Sequence, residues 1–140
     1  MRSTPLVRML TGAAVLTFAG ALAVPAASAA AWPLPPGVVA LGPGEPCPSA
    51  TLCLYRDYDR SGPAYGIGAG YDVDLDDLPM PGGVGGPSAA NNVSSWVNDT
   101  SHPALLIDRD EPRARPLFPG QPLEEPPYTN DTVDEVRWLR

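Results

Sequence analysis

The stretch Asn91–Thr100, NNVSSWVNDT, decides how this chain folds, because a variant of it returns near the C-terminus as Asn130–Leu139, NDTVDEVRWL. Each copy opens on an amide or acid pair, continues through small or oxygen-bearing residues, and reaches valine and tryptophan. Each also follows an apolar run: Leu52-Cys53-Leu54-Tyr55 before the first and Leu105-Leu106-Ile107 before the second. A run-then-motif unit that occurs twice is an internal repeat. Tyr55 to Ser94 spans 39 residues and the matching pair, Ile107 to Asp134, spans 27. The excess is about the length of the proline- and glycine-rich loop from Pro79 to Ala90, so one duplicated unit with one inserted loop accounts for both spacings. Short strands at even spacing with turns between them predict an all-β, antiparallel sandwich of two Greek-key units with little helix.

Working outward, the first segment reads as a leader. Arg2 and Arg8 accompany an apolar run, Met9 to Val24, and Ala27-Ser28-Ala29 has the small-x-small pattern of a cleavage site. The expectation is a secretory signal peptide over residues 1–29 and an exported protein. No later run reaches the roughly 18 apolar residues of a spanning helix, so no membrane span is predicted. All nine basic residues are arginine; without Arg2 and Arg8, seven basic residues face sixteen acidic ones, a net charge of −9. Such a surface repels phosphate backbones and excludes nucleic acid as a partner. It suits calcium or a basic protein surface. Cys47 and Cys53 both lie in the exported part, where a lone pair six positions apart predicts a disulfide that clips the first hairpin.

Residues 30–46 carry five prolines and three glycines and read as a disordered tail. The folded domain is expected over 47–140, with repeat one at about 47–100 and repeat two at about 101–140. Within it Thr51–Tyr55 is β-prone, and Tyr71-Asp72-Val73-Asp74-Leu75-Asp76 alternates with period two, which predicts a half-buried strand with Tyr71, Val73 and Leu75 facing inward. Pro79–Pro87, PMPGGVGGP, reads as a loop outside any sheet. Proline recurs from Pro112 to Pro127, so strands of the second unit must be short or at edges. A final strand is expected within Val133–Leu139.

Cys47-Pro48-Ser49, Cys53-Leu54-Tyr55 and Gly62 together are similar to the opening of βγ-crystallin-like domains of secreted bacterial proteins. The chain most resembles the streptomycete-type metalloproteinase inhibitors, whose typical pattern reads CPxGxVCLYxDxxxxG and later NDxASSVxN. Asn91–Thr100 matches the later motif, Asn130–Trp138 its second copy, and the resemblance covers about Cys47 to Arg140. Arg60 stands where a second hairpin aromatic is expected, with Tyr58 nearby; Ile107 and Ala114 replace the tyrosine and glycine of the second unit.

The resemblance implies a calcium motif, [N/D][N/D]xx[S/T]S. The first copy, Ala90 to Ser95, lacks an oxygen at its first position; the second, Asn130 to Glu135, keeps the pair and has acids in place of both serines. Asn91, Ser94, Asn130, Asp131 and Asp134 are therefore candidate calcium ligands, since calcium takes about six to eight hard oxygens. The bland account is that these loops cap hairpins through Asx and Ser/Thr turns.

The resemblance also implies inhibition of an extracellular protease, a zinc metalloendopeptidase, by a monomeric scaffold that presents a loop. The candidate contacts are Met80 and Val84, apolar residues in the loop, and Arg60 beside the clip. The alternative is a calcium-binding structural or envelope-associated protein. Catalysis has little support. No GxSxG, HExxH or phosphate loop appears, the one histidine is His102, and the acids Glu124 and Glu125 before Pro126 read as a solvated turn. Asp72-Val73-Asp74-Leu75-Asp76 has the opening spacing of an EF-hand loop but lacks its glycine and its closing glutamate.

Overall fold

The computed structural model describes residues 32–140; the expected leader lies outside them. Among the described residues, nine strands form two antiparallel sheets: β1 (Val38–Leu41), β2 (Thr51–Asp57), β3 (Ser61–Gly68), β4 (Val73–Asp74), β5 (Ser95–Asn98), β6 (Ala104–Asp108), β7 (Arg113–Leu117), β8 (Pro122–Glu124) and β9 (Glu135–Trp138). One sheet runs β1-β3-β2-β5-β8 and the other β4-β9-β6-β7. Each repeat contributes a hairpin, a third strand and a fourth. The third strand crosses over, so that β4 of the first repeat lies in the second sheet and β8 of the second lies in the first. This exchange ties the two Greek keys into one domain.

The duplication is visible in the register. Tyr55 pairs with Ser95 on β5 as Ile107 pairs with Glu135 on β9. The Ser94 amide donates to the Tyr55 carbonyl at 3.0 Å, and the Asp134 amide to the Ile107 carbonyl at 2.8 Å. The two tryptophans of the echo are not equivalent: Trp96 lies two residues beyond Ser94, and Trp138 four beyond Asp134, both on inward-facing positions.

Alternation places Leu52, Leu54, Tyr65, Ile67 and Trp96 of the first sheet against Val73, Ala104, Leu106, Val136 and Trp138 of the second, and all are buried in one core. Cys53, Tyr55, Ala64 and Leu41 form a second cluster with Cys47 and Val97. That cluster lies on the outer face of the first sheet, and the Cys47–Cys53 disulfide sits against it.

Three expectations need correction. The segment 30–46 was expected to be a disordered tail, but Val38–Leu41 pairs along its full length with β3 (Val38 with Ile67, Leu41 with Ala64) as an edge strand. Its prolines flank the strand and leave VVAL free to pair. The alternating strand at 71–76 shrinks to Val73–Asp74, because Leu75–Asp77 turns into a 3₁₀ turn capped by the Asp74 carboxylate. Val73 and Leu75 are buried, but Tyr71 is exposed and lies over Gly37, where any Cβ would meet its ring. Glu125, read as part of a solvated turn, is buried and accepts from Trp96 Nε1 (2.8 Å), Arg115 Nη2 (2.6 Å) and Thr129 Oγ1 (2.8 Å). The prolines of the second unit behave as expected: Pro116 and Pro122 lie on β7 and β8, each the last strand of its sheet.

Candidate functional site

The two copies of the opening motif meet. Asn91 and Asp131, at matching positions, both take left-handed backbone conformations (φ 58° and 55°), which asparagine and aspartate tolerate better than most residues. The Asn91 amide donates to the Val133 carbonyl at 2.9 Å, and the Asp131 amide to the Val93 carbonyl at 3.3 Å. Asn91 Nδ2 reaches Asp134 Oδ1 at 2.8 Å, and Ser94 Oγ lies 3.5 Å from Asp131 Oδ1. Each motif is thus completed by the other repeat. By hydrogen bonding the five candidate calcium residues fall into two places, Asn91 with Asp134, and Ser94 with Asp131 and its neighbour Asn130, whose Nδ2 donates to Asp131 Oδ2 at 2.7 Å; Asp131 also lines a depression with Asn91, Asp108 and Asp110.

These two places differ in charge. Beside Asp134, the end of β6 brings Asp108 and the turn after it Asp110, and one oxygen from each of the three carboxylates lies within 4.8 Å of the others. Asp108 and Asp134 are buried and Asp110 is exposed. Position 108 corresponds by register to Arg56, so the other place receives a guanidinium instead. Arg56 pairs with Asp57 at 3.0 Å and lines the depression holding Ser94 and Asp131. Three convergent carboxylates suit a hard cation, whereas a fixed guanidinium opposes one. Asp108, Asp110 and Asp134 offer a hard cation three carboxylates, which also accept from Asn91 Nδ2 and the Arg109 and Glu111 amides and have Arg113 on their rim, whereas Ser94 and Asp131 offer one carboxylate beside Arg56. Asp108 and Asp110 belong to no quoted motif; only the fold carries them to Asp134.

Burial pushes the Asp131 carboxyl above the usual carboxylate range. The Ser94 hydroxyl draws it partly back, and the charges of Asp57 and Glu125 add to the rise. The hydrogen bond from Arg56, helped by its charge, lowers the carboxyl of the neighbouring Asp57 against the opposing effect of burial.

The inserted loop lies beside this second place. Pro79 and Ser88 form an isolated antiparallel bridge, and the Met80 amide donates to the Pro87 carbonyl at 2.7 Å. Met80, expected as an exposed contact, is wholly buried and anchors the loop in the core. Val84 is 89% exposed, the most exposed large apolar residue among those described. The Tyr65 hydroxyl bonds the Pro79 carbonyl, and Arg56 Nη1 bonds the Pro81 carbonyl at 2.8 Å. Val84 and Arg56 line one depression with Asp57, while Arg60 lines another with Leu41 and Pro43. The fold therefore does not bring Arg60 together with Val84.

Residues 40–107, just under half of the chain, match the model of Peptidase inhibitor family I36. This match supports a protease inhibitor rather than an enzyme, and with the disulfide it is consistent with an extracellular protein. A solved structure described as "Evolution of the eye lens beta-gamma-crystallin domain fold" is 17% identical, with a TM-score of 0.54 over 73% of this chain and 96% of that one. The chain has the βγ-crystallin domain fold. No curated protein matches it. Among the described residues no helix is long and apolar enough to cross a membrane.

Proposed function

We propose that this protein is an exported inhibitor of a zinc metalloendopeptidase, and that it offers the Pro81–Pro87 loop with Val84 at its tip to the peptidase cleft. The observation that carries the reading is one large apolar side chain, 89% exposed, on a loop whose two ends are bonded to each other and whose first arm is held by Tyr65 and Arg56. A segment already held in one conformation loses little ordering entropy on binding, which is how a small rigid scaffold gains affinity. Valine is the kind of side chain that the apolar pockets of thermolysin-like enzymes accept. The family match supports the inhibitory role, and the acidic surface suits a target whose cleft rim is basic.

A panel of a thermolysin-like zinc enzyme, a subtilisin and a trypsin tests the proposal. Stoichiometric inhibition of the zinc enzyme, lost in Val84→Asp, is the expected result; inhibition of subtilisin or trypsin alone would redirect the target class. No inhibition of any member at micromolar concentration would remove the function and leave the fold.

The carboxylate trio supports a second reading, a calcium-binding role. Asp108, Asp110 and Asp134 would hold the cation, which would neutralise their mutual repulsion and fasten the β6–β7 turn to β9. Calcium at a hundred times its dissociation constant should then stabilise the fold by about 2.7 kcal/mol. Asp108→Asn should abolish the dependence of the melting temperature on calcium. A melting temperature indifferent to millimolar calcium would exclude the site.

A further inference from the structure

The two adjacent asparagines of the opening stretch part company: Asn91 reaches the other repeat, and Asn92 turns to the inserted loop. Asn92 is 1% exposed, and all of its side-chain hydrogen bonds go to the backbone around Val84. Its Oδ1 accepts from the Gly85 amide at 2.7 Å, and its Nδ2 donates to the carbonyls of Gly86 at 3.0 Å and Ser88 at 2.7 Å. On the other side of Val84, a Cβ at Gly83 would overlap the same carboxamide, and a Cβ at Gly85 would overlap the Asn91 carbonyl. The glycines are thus required for the loop to lie flat on Asn91 and Asn92. They serve contact, not mobility.

We propose that Asn92 is the positioning residue of this loop, a buried carboxamide that fixes the backbone flanking Val84 in the conformation a peptidase cleft receives. The inference rests on the inhibitor reading for its consequence, though not for its geometry. Every donor and acceptor of the side chain meets its complement, so replacement leaves the Gly85 amide and two carbonyls to water or to nothing. Freed of the splint, the loop becomes an ordinary glycine-rich segment that must be ordered on binding and is open to cleavage. Asn92 acts through the loop and makes no contact with the peptidase itself.

The test compares the unaltered protein, Asn92→Ala and Val84→Asp in three readouts: the inhibition constant against a thermolysin-like enzyme, nicking within residues 81–87 by that enzyme and by subtilisin, and hydrogen exchange at the Gly85 amide. Asn92→Ala is expected to weaken inhibition about 100-fold, to be nicked about tenfold faster by both enzymes, and to exchange the Gly85 amide faster than the unaltered protein does. An inhibition constant unchanged in Asn92→Ala but lost in Val84→Asp would overturn the positioning role and leave the inhibitor reading standing. If the unaltered protein inhibits nothing, the inhibitor reading fails by itself. Gly85 exchange then decides: unchanged exchange in Asn92→Ala overturns the inference, and faster exchange retains Asn92 as the residue that holds the loop. Should Asn92→Ala not fold, Asn92→Asp takes its place, since it keeps the shape and the Gly85 acceptor but opposes two carbonyls with a third acceptor. Loop nicking of that variant no faster than in the unaltered protein would equally overturn the proposal.

Discussion

The first hairpin is covered on both faces and the second on one. Four consecutive residues of β2, Leu52 to Tyr55, are buried, whereas β6 alternates buried Ala104, Leu106 and Asp108 with half-buried Leu105 and Ile107. The register is the same, so the difference lies in what covers the outer face. In the first repeat, the disulfide and Leu41 from β1 lie over Cys53 and Tyr55. The outer face of the second is a groove of about 450 Å³ lined by Ile107, Ala114, Glu135 and Arg137. Ion pairs crowd this repeat: Arg137 with Glu135, Arg113 with Glu111, and Arg109 with Asp74 and Asp76 on the exchanged strand and its turn. One repeat is held by apolar contact and a covalent clip, the other largely by its inner face and by charge. A duplicated backbone thus does not impose a duplicated energetics.

The largest expected effect strikes what the two repeats share. Glu125 follows the exchanged strand β8 and receives Trp96 from the first sheet and Arg115 from the second. Glu125→Ala leaves the Trp96 N–H without its partner and Arg115 without its counter-charge. It should cost about 3–5 kcal/mol in denaturant unfolding; a loss below 1 kcal/mol would mean that the buried carboxylate does not join the sheets. Next is the clip. Cys47→Ala with Cys53→Ala should cost about 2 kcal/mol for so short a closed loop. Hydrogen exchange should quicken in β1 and β2 before it does in β6; uniform quickening would break the contrast between the repeats.

Arg109→Ala tests the charged repeat. Its partners are two-fifths or more exposed, so the loss should be about 0.5–1 kcal/mol and should shrink in molar salt. Burial works to raise the Asp74 carboxyl, but the Arg109 hydrogen bonds and the Asp76 amide outweigh it and hold the group below its ordinary value of 3.8. Stability from this group is therefore present above that value and lost as pH falls through the lower folded one; Arg109→Ala should flatten that acid limb. The smallest effect has the opposite sign. The Asp131 carboxyl is raised in the folded state, so it binds protons that the unfolded chain has released, and stability from this group falls as pH rises above 3.8. Asp131→Asn keeps a residue suited to the left-handed backbone and should raise the melting temperature slightly at neutral pH while leaving it unchanged well below 3.8. A lower melting temperature at neutral pH would show that the charge is compensated.

Much of the fold was legible in the residues. The equivalence of Tyr55 with Ile107 and of Ser94 with Asp134, drawn from two spacings, is the equivalence that the ladders show. The site was less legible. Val84, singled out by its apolar character, is exposed, but Met80, next to it in chemistry, proved to be a core residue. Local pattern carries no information on which of two nearby apolar side chains meets the interior.

The sequence by itself determined what depends on near neighbours and periodicity: two run-and-motif units, the clip, the positions of the turns and, among the described residues, the absence of long helix. These follow from backbone preferences and alternation, which act over a few residues. Tertiary structure alone decided everything that depends on partners far along the chain. VVAL becomes a strand because β3 offers an edge to pair with. Glu125 is buried because Trp96, Arg115 and Thr129 converge on it. Asp108 and Asp110 meet Asp134 across the second sheet. Asn92, one residue from a motif member with the same side chain, serves the loop because the chain turns at Asn91. Each outcome needs hydrogen bonds or charges to close between residues that only the packed sheets bring together.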